Sequence, residues 1–281
     1  MDLHGKTSYQ NDFWGELGGT FLLVLFGCGA VVVSTIFGAY SGLFQIALSW
    51  GIGLTLAIYA TRHLSCAHFN PAITLAMALT KRMKVQKVPV YLCGQFLGAF
   101  LAGLVLMLLF NPSIVAYESA HGIVRGSAAS VATARMFGEF YNTPGGTAVV
   151  SLPLAMAAEG FGTFLLALMI FFLTEGCNVG RPDSSIAPIF IGLTVTSLIC
   201  LLAPLTQAGF NPARDFAPRL VAWLCGWGSA AFPDAYGGFF WVYILAPLVG
   251  AGLAGLLFQR IALLMGREKD TCCCQKTEES A

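Results

Sequence analysis

Six stretches of mostly apolar residues, at about 13–36, 42–62, 88–110, 152–174, 184–205 and 238–262, restrict what this chain can fold into more than any other feature. A helix rises about 1.5 Å per residue, so about 20 apolar residues match the hydrocarbon core of a bilayer. In that medium no water pairs with free backbone N–H and C=O groups, which leaves helices as the solution for runs of this length. Composition agrees: 57% of residues are hydrophobic and 10% charged, against about a quarter charged in a soluble domain. The segment from Thr20 to Tyr59 carries no charge, while Lys81, Arg82, Lys84 and Lys87 cluster. Residues 1–16 are polar and no small-residue cleavage site follows, so the first apolar stretch is expected to be a retained span. The expected fold class is an all-α membrane protein with six transmembrane helices. A formal net charge of +1 argues against a nucleic-acid partner.

Two shorter apolar segments, about 70–80 and 211–224, are too short to cross. Each begins at the same tripeptide, Asn70-Pro71-Ala72 and Asn211-Pro212-Ala213, 141 residues apart and each preceded by a phenylalanine. Asparagine is a favoured N-cap, and proline fits the first helical turn because its missing N–H has no partner there anyway. These segments are expected to be half-helices. The irregular backbone before them is tolerable only if it is buried in protein or lines a water-filled cavity.

The two halves also resemble each other. Glu16-Leu-Gly-Gly-Thr-Phe-Leu-Leu-Val-Leu25 aligns with Glu159-Gly-Phe-Gly-Thr-Phe-Leu-Leu-Ala-Leu168, Gly53-Leu54-Thr55 with Gly192-Leu193-Thr194, and Gly98-Ala-Phe-Leu-Ala-Gly103 with Gly250-Ala-Gly-Leu-Ala-Gly255. Three spans and one half-helix per copy make an odd number of crossings, so the second copy enters from the opposite side, as in inverted-repeat transporters. The expected organisation is a cytoplasmic tail over 1–12, a first repeat over 13–110 and an extracellular linker over 111–151. A second repeat over 152–262 and a cytoplasmic tail over 263–281 follow. With both termini cytoplasmic, eleven lysines and arginines fall inside and four outside, the bias of the positive-inside rule. Gly94 with Gly98, and Gly250 with Ala254, have the spacing that lets helix backbones approach closely.

Two matched asparagines suggest one symmetric site. If each side-chain oxygen caps its helix, the NH₂ of Asn70 and of Asn211 is left to donate to a passing oxygen. Each half-helix N-terminus carries about half a positive charge. Two such ends meeting at the midplane repel cations and orient a central water so that a proton wire is interrupted. Arg214 adds a full charge at membrane depth, where an arginine marks function by default; an ion pair with Asp215 is the alternative. Glu16 and Glu159 are costly buried acids unless partnered. They are read as structural acceptors for the irregular segment of their own repeat rather than as proton carriers. Trp50 lies about 12 Å inside its span, deeper than the interfacial belt, and is read as pore wall.

Cys28, Cys93, Cys200 and Cys225 sit in apolar runs as small hydrophobes, and no disulfide framework is evident. Cys66 with His63 and His68 matches no strong metal pattern. No metal, cofactor or catalytic residue is expected. Cys272-Cys273-Cys274 could be acylated near the membrane or left unmodified.

On these residues the chain resembles the aquaporin family (major intrinsic proteins), and within it the glycerol facilitators or aquaglyceroporins. Phe210-Asn-Pro-Ala-Arg-Asp-Phe-Ala-Pro-Arg219 is similar to the facilitator signature, and His121-Gly-Ile-Val-Arg-Gly-Ser127 and Trp223-Leu-Cys-Gly-Trp-Gly228 look like facilitator loops. The resemblance implies a six-helix bundle with two re-entrant half-helices, one pore per subunit and a homotetramer in the plasma membrane. It implies a pore constriction at Asn70, Pro71, Ala72, Asn211, Pro212 and Ala213. It further implies a selectivity filter of Trp50, Ile199, Ala208 and Arg214, a set nearer that of the plant nodulin-like intrinsic proteins. Backbone carbonyls of Cys66, Ala67, His68, Gln207, Ala208 and Gly209 would line the pore. The expected function is passive passage of glycerol and other small neutral solutes, with water, and with urea and metalloid acids as further candidates. A water- or metalloid-preferring channel and an ion-coupled secondary transporter are the alternatives.

Overall fold

The computed structural model describes residues 9–141, 148–176, 178, 180–233 and 238–264, and among them the regular structure is helical. In chain order the α-helices are α1 (Tyr9–Phe37), α2 (Leu43–Thr61), α3 (Pro71–Leu79), α4 (Val88–Ala120), α5 (Val131–Ala134), α6 (Leu152–Thr174), α7 (Ala187–Thr206), α8 (Pro212–Ala222) and α9 (Ala246–Leu264). A wider turn over Phe240–Leu245 leads into α9. Among the described residues six helices are long and apolar enough to cross a membrane: α1, α2, α4, α6, α7 and α9 with its leading turn. The short α3 and α8 are the two half-helices.

Glycines set how closely the spans pack. A Cβ on Gly98 of α4 would collide with the Leu17 carbonyl of α1, and one on Gly250 of α9 with the Gly160 carbonyl of α6. Leu17 and Gly160 follow the two matched glutamates, so the same crossing is built twice. At the centre α2 crosses α7, where a Cβ on Gly51 or on Gly192 would overlap the other helix's backbone. Lipid supplies no hydrophobic drive between helices, so this contact rests on close packing. The half-helices tie the copies together: α3 packs on α9, the last span of the other repeat, and α8 packs on α4. Large apolar side chains such as Phe44, Leu108, Leu109 and Leu201 face outward, as suits a molecule whose solvent is lipid.

Two expectations need correction. Helix α4 does not stop near 110 but runs through Pro112 to Ala120. Burial of Ile114 and Glu118 against the following loop offsets the hydrogen bond that proline removes. The segment after it is also no plain polar linker: Thr133, Ala134, Met136, Phe137, Glu139 and Phe140 are buried. Arg125 organises this cap. It pairs with Glu118 at 2.8 Å, donates to Asn111 Oδ1 at 3.1 Å and stacks over Trp227. The two loop motifs thus dock on each other, and they touch through Gly126 and Gly226, whose φ of 88° and 105° few other residues adopt. The tail with Cys272, Cys273 and Cys274 lies outside the described residues.

Candidate functional site

Each half-helix is preceded by a tight, irregular segment held by a carboxylate from the first span of its own repeat. Glu16 Oε1 accepts from Ser65 Oγ at 2.7 Å and His68 N at 3.0 Å, and Oε2 from Phe69 N at 2.8 Å. Glu159 Oε1 accepts from Thr206 Oγ1 at 2.6 Å and Gly209 N at 2.9 Å, and Oε2 from Phe210 N at 2.7 Å. Both carboxylates are buried. These bonds satisfy them and hold Ala67, Phe69, Ala208 and Phe210 at φ of 50–65°, a left-handed conformation that costs roughly 1–3 kcal/mol per non-glycine residue. Phe69 settles over Gly19 and Phe210 over Gly162, with no room for a Cβ at either glycine.

The held segments deliver the asparagines. Asn70 caps α3 by accepting from Ala72 N at 2.9 Å, and Asn211 caps α8 by accepting from Ala213 N at 3.1 Å and Arg214 N at 3.2 Å. The amide nitrogens are not wholly free, as simple capping suggests. Asn70 Nδ2 donates to Phe210 O at 2.9 Å, and Asn211 Nδ2 donates to Phe69 O at 2.7 Å. Each half therefore pairs with a carbonyl of the other, and each NH₂ keeps one hydrogen for another acceptor. Pro71, Ala72, Pro212 and Ala213 are buried.

Both asparagines face a cavity of about 430 Å³ that extends from Arg62, His63 and Ser184 to Trp50 and Arg214. Trp50, Ile199, Ala208 and Arg214 all line it, as do Cys66, Ala67, His68 and Gly209. The Gln207 side chain anchors the cap: its Oε1 accepts from Phe140 N at 2.8 Å. Trp50 occupies a slot opened by Gly27, where a Cβ would strike the indole. The Arg214 guanidinium lies over the Trp50 ring, 4.0 Å from its centroid.

Arg214 does not pair with its neighbour Asp215. Its Nη2 is bound by Glu139, from the cap after α4, while Nη1 has no hydrogen-bond partner. Burial, the largest influence, pushes the Glu139 carboxyl up to about 7 against the pull of Arg214. Asp215 instead holds Arg219, at 2.7 Å to Nη2 and 3.1 Å to Nε. Arg219 also donates to the carbonyls of Ala231 and Glu139, inside a ring of Phe140, Phe232, Phe239 and Tyr243. The pair clamps the cap to α8.

Cys66 is disulfide-bonded. The expectation of no disulfide is thus corrected; no spacing rule marks a pairing made only by the fold. Sequence reasoning also missed Glu139 and Gly27. An acid in a polar linker carries no local signal, and Gly27 has no glycine counterpart in the second repeat.

The model of the family described as "Major intrinsic protein" matches residues 5–258. The chain is 38% identical over 250 residues to a glycerol uptake facilitator protein of Haemophilus influenzae, covering 88% of this chain and 91% of that one. It is 38% identical over 261 residues to the propanediol uptake facilitator PduF of Citrobacter freundii, covering 92% and 93%. The X-ray structure of the aquaglyceroporin from Plasmodium falciparum superposes with a TM-score of 0.79 at 24% identity, over 92% of this chain and 99% of that one.

Proposed function

The chain belongs to the major intrinsic protein family, and from that premise we propose that it is a passive channel for glycerol and other small neutral solutes, with water, that excludes protons and ions. The observation that carries this reading is the meeting of Asn70 and Asn211 across one cavity, each with one amide hydrogen to spare. A solute oxygen arriving there accepts from both. It also meets two half-helix N-termini, whose partial positive charges disfavour a cation. A water held between them donates outward on both sides, and the proton wire breaks.

Selection falls to Trp50, Ile199, Ala208 and Arg214. The free Nη1 of Arg214 donates to hydroxyls, while the indole and Ile199 face the carbon backbone of a polyol. Ala208 is small and leaves width. Carbonyls of Cys66, Ala67, His68, Gln207, Ala208 and Gly209 accept in turn from the solute. An ion-coupled transporter fits less well, because Glu16 and Glu159 already accept several hydrogen bonds each. The homotetramer, the plasma membrane and cytoplasmic termini belong to the same proposal. Catalysis does not.

Stopped-flow light scattering of proteoliposomes tests it with glycerol, urea and water gradients. Glycerol equilibration faster than in empty liposomes, and independent of a proton gradient, is expected. Equilibration no faster than in empty liposomes would remove glycerol as the substrate, and coupling to the proton gradient would favour a transporter.

A further inference from the structure

Gly27 of α1 is buried behind the indole of Trp50. A Cβ there would lie 2.1 Å from Cε3 and 2.2 Å from both Cδ2 and Cζ3 of the ring. Non-bonded carbons rest about 3.5–4.0 Å apart, so any side chain at this position would drive the ring more than about 1 Å away from α1. The colliding atoms belong to a planar, rigid ring, which has no flexible end to bend clear. The Arg214 guanidinium lies over the same indole, 4.0 Å from its centroid, and is itself bound through Nη2 by Glu139. A ring pushed off α1 therefore moves into the cavity that Trp50 and Arg214 both line. Phe69 and Phe210 have seats of the same kind, over Gly19 and Gly162. Those two are built in both repeats and hold the irregular segments. The seat at Gly27 is built once: the alignment of Glu16 with Glu159 puts Ile170, a cavity-lining side chain, at the matching place.

We propose that Gly27 is a positioning residue that sets the width of the pathway beside Arg214 by seating Trp50, and so decides whether a neutral solute broader than water passes. The inference rests on the channel reading and deepens it. The glycine touches no solute. It acts through the indole, which its missing side chain lets withdraw toward α1. The width at this level is thus fixed from behind the wall, by a residue on a different helix from Trp50, Ile199 and Arg214.

The parent, Gly27→Ala, Trp50→Val and the double variant are reconstituted into liposomes, and glycerol and water permeabilities are measured per incorporated protein. In the parent background Gly27→Ala is expected to lower the glycerol-to-water permeability ratio about tenfold, because a narrower pore hinders the larger solute first. Trp50→Val removes all three colliding ring atoms. In that background Gly27→Ala is expected to leave the ratio unchanged within about twofold, the non-additivity of two residues in contact. An unchanged ratio in the parent background, or an equal fall in both backgrounds, would mean that the glycine only packs. If Gly27→Ala alone fails to incorporate, the double variant is expected to incorporate and to match Trp50→Val; its failure to do so overturns the proposal. A parent that conducts water but no glycerol removes the substrate reading alone. Gly27→Ala is then expected to lower water permeability in the parent background and not in Trp50→Val, and an equal change in both overturns the proposal.

Discussion

Arg214 is held between two unlike neighbours, the face of Trp50 and the carboxylate of Glu139, and its behaviour follows from both. Replacing it by alanine removes the charged wall of the proposed filter. Arg214→Ala is therefore expected to admit larger polyols, measured as the ratio of a four-carbon polyol to glycerol in stopped-flow traces. Glu139 adds a pH dependence. Its carboxyl titrates at about 7, so above that pH it is ionised and pins the guanidinium, and below it the ion pair loses one charge. Glycerol permeability is expected to change with a midpoint near pH 7, and the step should vanish in Glu139→Gln. An unaltered profile in that variant would assign the titration elsewhere. Asn70, Asn211, Trp50 and Arg214 were legible in the sequence because their signals are local: a cap, a breaker, a charge or an indole at the wrong depth. Glu139 was not, since nothing near it marks it apart from other linker acids. The alternative, an ion pair between Arg214 and Asp215, fails for a geometric reason. Neighbouring residues on a helix diverge, whereas residues four apart share a face, so Asp215 reaches Arg219 rather than Arg214.

At the scale of elements, the half-helices and the cap make separate demands. Helix α8 meets the cap through the Arg219–Asp215 clamp, a fully buried pair. Arg219→Ala leaves Asp215 charged and unpaired, which costs about 3–5 kcal/mol. It is expected to lower the thermal midpoint of the detergent-solubilised protein more than it alters the selectivity of what survives. The α2–α7 crossing gives a different signature. Gly51→Val places atoms where the Gly192 backbone already lies, so it is expected to abolish folded yield, read as loss of a monodisperse peak in size-exclusion chromatography. The spans were legible to within a few residues because length and apolarity decide them. The end of α4 was not, because its last turns are held by contacts with a loop whose docking no periodicity encodes.

At the scale of the whole molecule, the inverted repeat is close where backbone geometry matters and abandoned where chemistry does. Glutamate, phenylalanine, asparagine and glycine recur at matched positions, and those set the frame. Arg214, His68, Glu139 and the slot at Gly27 have no twin, and those differentiate the two ends of the cavity. The crossed bonds between Asn70 and Phe210 and between Asn211 and Phe69 also bear on how the molecule is made. The N-terminal half is synthesised first, with an amide and a carbonyl whose partners do not yet exist. Its crossed hydrogen bonds can form only once the C-terminal half has been made. The junction between the two half-helices is therefore a joint product of both halves, and neither half can complete it alone.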